Sequence, residues 1–359
     1  MASRRMKKTR ITAKIARKTP RVESYQKAVK LFGRYARQMH VHGRPGITSA
    51  HDARHVATVS MYAERLAKFL GATPKEQALA AIAGQTHDRI RVASEKLIDR
   101  TQAIELLKKE FPSGSESKAV QLADQAFAVR KRLKSVSDYT HTGGGITSDE
   151  LTATFLKDKF RRHLSQTATA RVLKAIRLAG QMPSKKGFRK DLVHSGLVFA
   201  DKFFEANGAF IAFRRAYFMG EREDRRKEMR DNGLTPAEAA VRITLDETKK
   251  RIKAFSDLSK IPGILHPFVR YQVEWQERLK QGLEERKPWA VHLASALFQE
   301  GLKYKTSEQP RSLEETIRNY APVSEEDARF KEETLRYFNG DLWNTFIRLV
   351  RVPSAVRKR

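Results

Sequence analysis

The stretch 81-AIAGQTHDRIR-91 closes an alanine-rich segment on two adjacent residues that can do chemistry, His87 and Asp88. Such a pair is either a polar helix end or two metal ligands at the edge of a core. The dipeptide does not decide, because His51-Asp52 repeats it elsewhere in the chain. Two further residues supply context. Positions 55, 59, 62 and 66 follow the i, i+4, i+7, i+11 spacing of one helix face, so His55 points inward. Asp201, within 197-LVFADKFFEANG-208, shares a face with Leu197, Val198 and Phe204 and is directed toward the core. A carboxylate there must be paired, protonated or bound to a cation, since burying it alone is prohibitively costly. One divalent ion (Mn, Fe, Co, Ni, Zn or Mg) held by His55, His87, Asp88 and Asp201 satisfies all four groups. The alternative satisfies each separately, the histidines as core residues and Asp201 paired with an arginine.

The elements that must position these groups are helices. Helical periodicity dominates and alternating β-branched runs are nearly absent, which predicts an all-α fold. A helix is expected from about Tyr25 to Gln38, then a Gly- and Pro-broken loop, then 51-HDARHVATVSMYAERLAKFL-70 ending before Gly71. Thr73 as cap and Pro74 at the first position open the next helix, 75-KEQALAAIAGQTHD-88, folded back antiparallel by the short turn. Its alanines imply close packing against a neighbour. Further helices are expected near 94–111, 150–164 and 166–180, with 138-DYTHTGGGITSDE-150 as a loop. The basic stretch 181-QMPSKKGFRK-190 reads as another loop, and 191–220, the most apolar long segment, belongs in the core. Within it Ser195-Gly196 can interrupt the helix between His194 and Asp201.

The order of these features resembles the HD superfamily of metal-dependent phosphohydrolases: an H-V-x-x-V helix at His55, His-Asp 32 positions on, and an A-D-K-x-x-E-x-x-G-A segment at Asp201. The match covers roughly residues 50–215 and looks most like the small stand-alone prokaryotic members. The resemblance implies a helical core in which His55, His87, Asp88 and Asp201 bind one divalent metal. It also implies hydrolysis of a nucleotide or other phosphoester by metal-activated water, with Asp88 as ligand and proton acceptor. Arg89 and Lys202, beside the ligands, are the nearest catalytic cations; Arg91, Arg214 and Arg215 are further candidates for phosphate contact. His141 and His194 are candidate outer partners of the ligands. Where the family has small apolar residues after His-Asp, this chain has Arg89-Ile90-Arg91. The helix matching that which carries extra histidines in two-metal members, 171-RVLKAIRLAGQM-182, has none, which disfavours an oxygenase with two irons.

On this reading residues 1–24 are a basic tail, 25–220 the HD-type metal-binding domain, 221–350 a charged C-terminal helical region and 351–359 a second basic tail. The 359 residues carry a net charge of +30, with 71 Lys plus Arg against 41 Asp plus Glu. Such a surface attracts polyanions, making RNA or DNA a partner beside the phosphorylated small molecule or nucleotide. The second functional reading is therefore a nucleic-acid-binding protein that uses the HD core as scaffold, with basic tails and C-terminal helices as its contact. A proteome of basic composition would give the same charge. The absence of cysteine removes thiolate catalysis and Cys-based zinc sites. No membrane span is apparent; the acid-free start is basic enough for a transit peptide but sparse in Ser, and a cytoplasmic location is expected. A homo-oligomer is compatible with all of this.

Overall fold

The computed structural model describes residues 22–40, 52–89, 99–109, 116–132, 148–205, 216–221, 223–303, 313–338 and 341–350. Among them there is no strand: the protein is all-α. None of the helices is long and apolar enough to cross a membrane.

Helix α1 (Val22–Met39) buries Tyr25, Ala28, Phe32 and Ala36 on one face, as three-to-four-residue spacing requires. Helix α2 (Ala53–Phe69) is capped by Asp52, whose carboxylate accepts from the His55 backbone N–H at 2.9 Å. It buries His55, Val59, Tyr62 and Leu66, the stripe its spacing predicts. Helix α3 (Pro74–Thr86) opens with a reciprocal capping box: Glu76 accepts from the Thr73 N–H at 2.9 Å, and Thr73 Oγ1 accepts from the Glu76 N–H at 3.3 Å. Every residue of α3 from Ala78 to Thr86 is buried. Such a helix needs neighbours on all sides, and its small side chains bring them close. A Cβ on Gly84 would lie 2.7 Å from the Ser60 Cα of α2, so the two helices meet backbone to backbone there.

Three helices follow, α4 (Arg100–Lys108), α5 (Glu116–Arg132) and α6 (Ser148–His163). The helix expected near 94–111 is described as helix only over α4. Helix α5 occupies a polar stretch, rich in Lys and Arg, for which no helix is expected; Ala119, Ala123 and Ala126 are buried there in a small cluster with Leu106, Leu107 and Leu151. Helix α7 (Gln166–Arg177) and short α8 (Lys185–Lys190) lead to α9 (Leu192–Phe199). The loop expected over 181–190 is thus partly helical, capped by Ser184. Nor do Ser195 and Gly196 interrupt α9. Gly196 serves instead as a point of contact, where a Cβ would stand 2.9 Å from the Ala63 carbonyl of α2. A π-helical turn, Ala200–Glu205, continues α9 and carries Asp201.

The C-terminal helices are α10 (Glu223–Asp231), α11 (Pro236–Phe255), α12 (His266–Glu284), α13 (Pro288–Lys303), α14 (Leu313–Asn319), α15 (Glu325–Phe338) and α16 (Asp341–Val350). Packing crosses position 220 in both directions. Phe255, Leu265, Phe268, Phe346 and Val350 enter the core built by α1–α3 and α6–α9, while Ala216–Met219 join the second core of α11–α15. Phe204 links the halves: its ring stacks on Tyr62 at 4.4 Å and on Phe268 at 4.9 Å, and meets Phe346 edge-on at 5.2 Å. Each such aromatic contributes about 2 kcal/mol through burial. The residue after Asp201 by three positions is therefore fixed from both sides.

Candidate metal centre

Three helix junctions deliver the chemistry-bearing residues to one point. His55 lies in the first turn of α2, its backbone tied to the Asp52 cap. His87 is the residue that ends α3, with Asp88 next. Asp201 comes from the π-helical turn after α9. A π turn inserts a residue into the helical repeat and re-aims the side chains around it, which is why such turns gather at functional sites.

His55, His87 and Asp88 are all buried, and each offers a ligand atom within 4.8 Å of the others, so this cluster could hold a metal ion. Asp88 Oδ2 is 3.0 Å from His55 Nε2 and 3.3 Å from His87 Nε2. The two rings stand 5.4 Å apart, inclined at 49°. Asp201 closes the fourth side, with Oδ1 3.8 Å from both Nε2 atoms. Its side chain retains 19% of its exposure against 2% for Asp88, so Asp201 marks the side open to solvent.

The tautomer of His87 is fixed by the main chain. Its Nδ1 is 2.9 Å from the Gly84 carbonyl, which can only accept, so the proton is on Nδ1 and Nε2 faces the two carboxylates. Nε2 is buried and makes no hydrogen bond of sound geometry. A lone pair directed at carboxylate oxygens calls for a positive charge between them, either a second proton or a cation. In the ion-free protein the proton answers. Burial disfavours the imidazolium, but the Asp88 and Asp201 carboxylates outweigh it and push His87 up to about 9. Burial likewise works to raise Asp201, yet the neighbouring His87 imidazolium holds it well below the usual carboxylate range. The donor set, two imidazoles and two carboxylates with one orphaned nitrogen, fits a divalent cation of the N/O-binding kind.

The remaining sequence candidates fall elsewhere. Arg89, although adjacent to Asp88, is 1% exposed, and its guanidinium donates to the Tyr35 hydroxyl at 3.2 Å and to Met39 Sδ at 3.5 Å, both on α1. Lys202 donates to the Gly180 carbonyl at 2.5 Å, tying the π turn to the turn that follows α7. His194 is buried and its Nε2 donates to the Leu178 carbonyl at 2.8 Å; burial holds its pKa below the ordinary imidazole value. Its hydrogen bond thus goes to the helix junction and not to a ligand. Arg91, His141, Arg214 and Arg215 lie outside the described residues. Two residues that the sequence gives no reason to single out support the centre. Asp52 belongs to the other His-Asp dipeptide and positions His55 as its helix cap; Tyr35 receives Arg89.

No family of known proteins matches the chain, and no curated protein or solved structure matches it at a significant level.

Proposed function

We propose that the protein is a metal-dependent phosphohydrolase of the HD type, acting on a nucleotide or another phosphoester. The observation that carries this reading is the buried Nε2 of His87, oriented through the Gly84 carbonyl and aimed at Asp88 and Asp201. His55, His87, Asp88 and Asp201 would hold one divalent ion. Bound there, such an ion lowers the pKa of its water toward ~7 and polarises a phosphoryl oxygen.

The chain's own residues then divide the work. His55 and His87 act as neutral nitrogen ligands, and Gly84 keeps His87 in the tautomer that presents Nε2. Asp88, in reach of both imidazoles, would serve as ligand and could accept a proton at its carboxylate. Asp201, on the open side, meets the substrate first. Lys202 brings a cation to the same turn. Arg89 acts as a positioning residue, holding the end of α3 against α1.

The test is elemental analysis of the purified protein beside Asp88→Ala and Asp201→Ala, with hydrolysis of p-nitrophenyl phosphate and its bis-ester measured on the same samples. About one transition metal per chain, lost in both variants together with hydrolysis, supports the reading. Wild-type protein that takes up no metal on reconstitution overturns it.

A further inference from the structure

Helix α1 carries a second feature that the metal centre does not use. Lys27, Lys30, Arg34 and Arg37 are all exposed, at intervals of three, four and three residues. That spacing keeps them on one face, diametrically opposite the buried Tyr25, Ala28, Phe32 and Ala36. The helix holds one acid, Glu23, in its first turn.

Some cations on the other helices are paired with acids of their own or a neighbouring helix. Lys249 meets Glu284, Lys250 meets Glu247, Lys280 meets Glu277 and Arg318 meets Glu314, all within 3.3 Å. Among the described residues the four cations of α1 enter no ion pair. Like charges at i, i+3 and i, i+4 on one face repel, so the stripe opposes the helix that carries it unless an anion lies along it.

We propose that the solvent face of α1, with the adjoining end of α6, is a docking surface for the phosphodiester backbone of single-stranded nucleic acid. Lys27 to Arg37 spans about 15 Å at the helical rise, placing a cation every ~5 Å. A polynucleotide strand presents its phosphates on the same scale. Helix α6 extends the surface sideways, because Phe160 packs edge-on against Phe32 at 4.9 Å and Lys159 Nζ sits 3.4 Å over the Tyr35 ring. Lys157 and Arg162 are exposed on the same helix. The local field is positive: burial first, then the charges of Arg162 and Lys159, hold His163 below its ordinary pKa. Exposed cations beside a partly exposed aromatic are the combination that binds single strands without sequence preference.

This surface does not depend on the metal-centre reading, and its test is run on chelated full-length protein. Fluorescence anisotropy follows binding of a fluorescein-labelled oligo-dT of about 20 nucleotides across a salt series. The variant K27Q/K30Q/R34Q/R37Q is compared with K253Q/R242Q/R270Q/R329Q, which removes four exposed positive charges from other helices. The α1 variant is expected to weaken binding by more than about 20-fold and to reduce the slope of log K against log salt by about 3, some 0.7 for each phosphate no longer neutralised. The control should change affinity by less than about two-fold. Equal weakening in both would assign binding to net charge, and unchanged binding in the α1 variant would assign it to the basic ends of the chain; either overturns the proposal. Should the quadruple variant unfold, K30Q/R34Q must still lower the slope by about half as much.

Discussion

Asp88 Oδ2 lies between His55 Nε2 and His87 Nε2, 3.0 Å from the first and 3.3 Å from the second. One carboxylate oxygen thus joins the start of α2 to the end of α3. The other His-Asp dipeptide, His51-Asp52, supplies a carboxylate of a different kind, a helix cap spent on the His55 backbone N–H. The two aspartates should therefore respond differently to truncation. Asp52→Ala is expected to cost about 1 kcal/mol of stability and to leave metal uptake within a few fold of wild type. Asp88→Ala should abolish uptake. Chemical denaturation and metal titration on both variants separate the effects.

His87 gives the ion-free protein a pH signature. Its folded pKa, about 9, lies above the ordinary 6.5, so the native state binds the proton more tightly than the unfolded chain. The associated stability is fully present below about pH 6.5, declines as pH rises and is gone above about pH 9. Melting temperatures of chelated protein across that window should fall more steeply for wild type than for His87→Gln. Metal binding must expel this proton, so apparent metal affinity should rise with pH over the same range.

Gly84→Ala replaces no candidate ligand yet should impair the centre. The added Cβ would meet the Ser60 backbone at 2.7 Å to Cα and 2.8 Å to N, and backbone cannot swing aside. Parting α2 from α3 should cost about 1–3 kcal/mol. It also moves His55 away from His87, so metal affinity should drop several-fold in protein that is still folded, as measured by isothermal titration at a temperature well below the melting point.

Arg89→Ala is expected to act on stability first. The guanidinium is buried on α1 through Tyr35 and Met39, and removing it leaves a cavity and takes a donor from the Tyr35 hydroxyl, about 3 kcal/mol in all. Hydrolysis per metal-loaded molecule should change far less than the melting temperature. A loss of turnover with unaltered stability would mean that Arg89 contacts phosphate directly.

Much of this molecule is written locally in its sequence. The all-helical class, the Thr73-Pro74 start of α3 and the inward face His55, Val59, Tyr62, Leu66 all follow from caps and from a 3.6-residue repeat, which act within a few residues. The same repeat directs Asp201 inward. Periodicity says which face is buried but not against what, and here tertiary structure decided. The burial of Arg89 required α1 to cross the end of α3. The closeness of the four candidate ligands required Gly84 and Gly196 to admit neighbouring backbones, and a π turn to carry Asp201 to within 3.8 Å of both imidazoles. Phe268 and Phe346 belong to helices whose charge suggested a separate region, yet their rings fill the core beside Phe204. Contacts between residues tens to more than a hundred positions apart leave no local pattern, because each side chain needs only to be apolar and of fitting size; which partner it meets is settled when the helices pack.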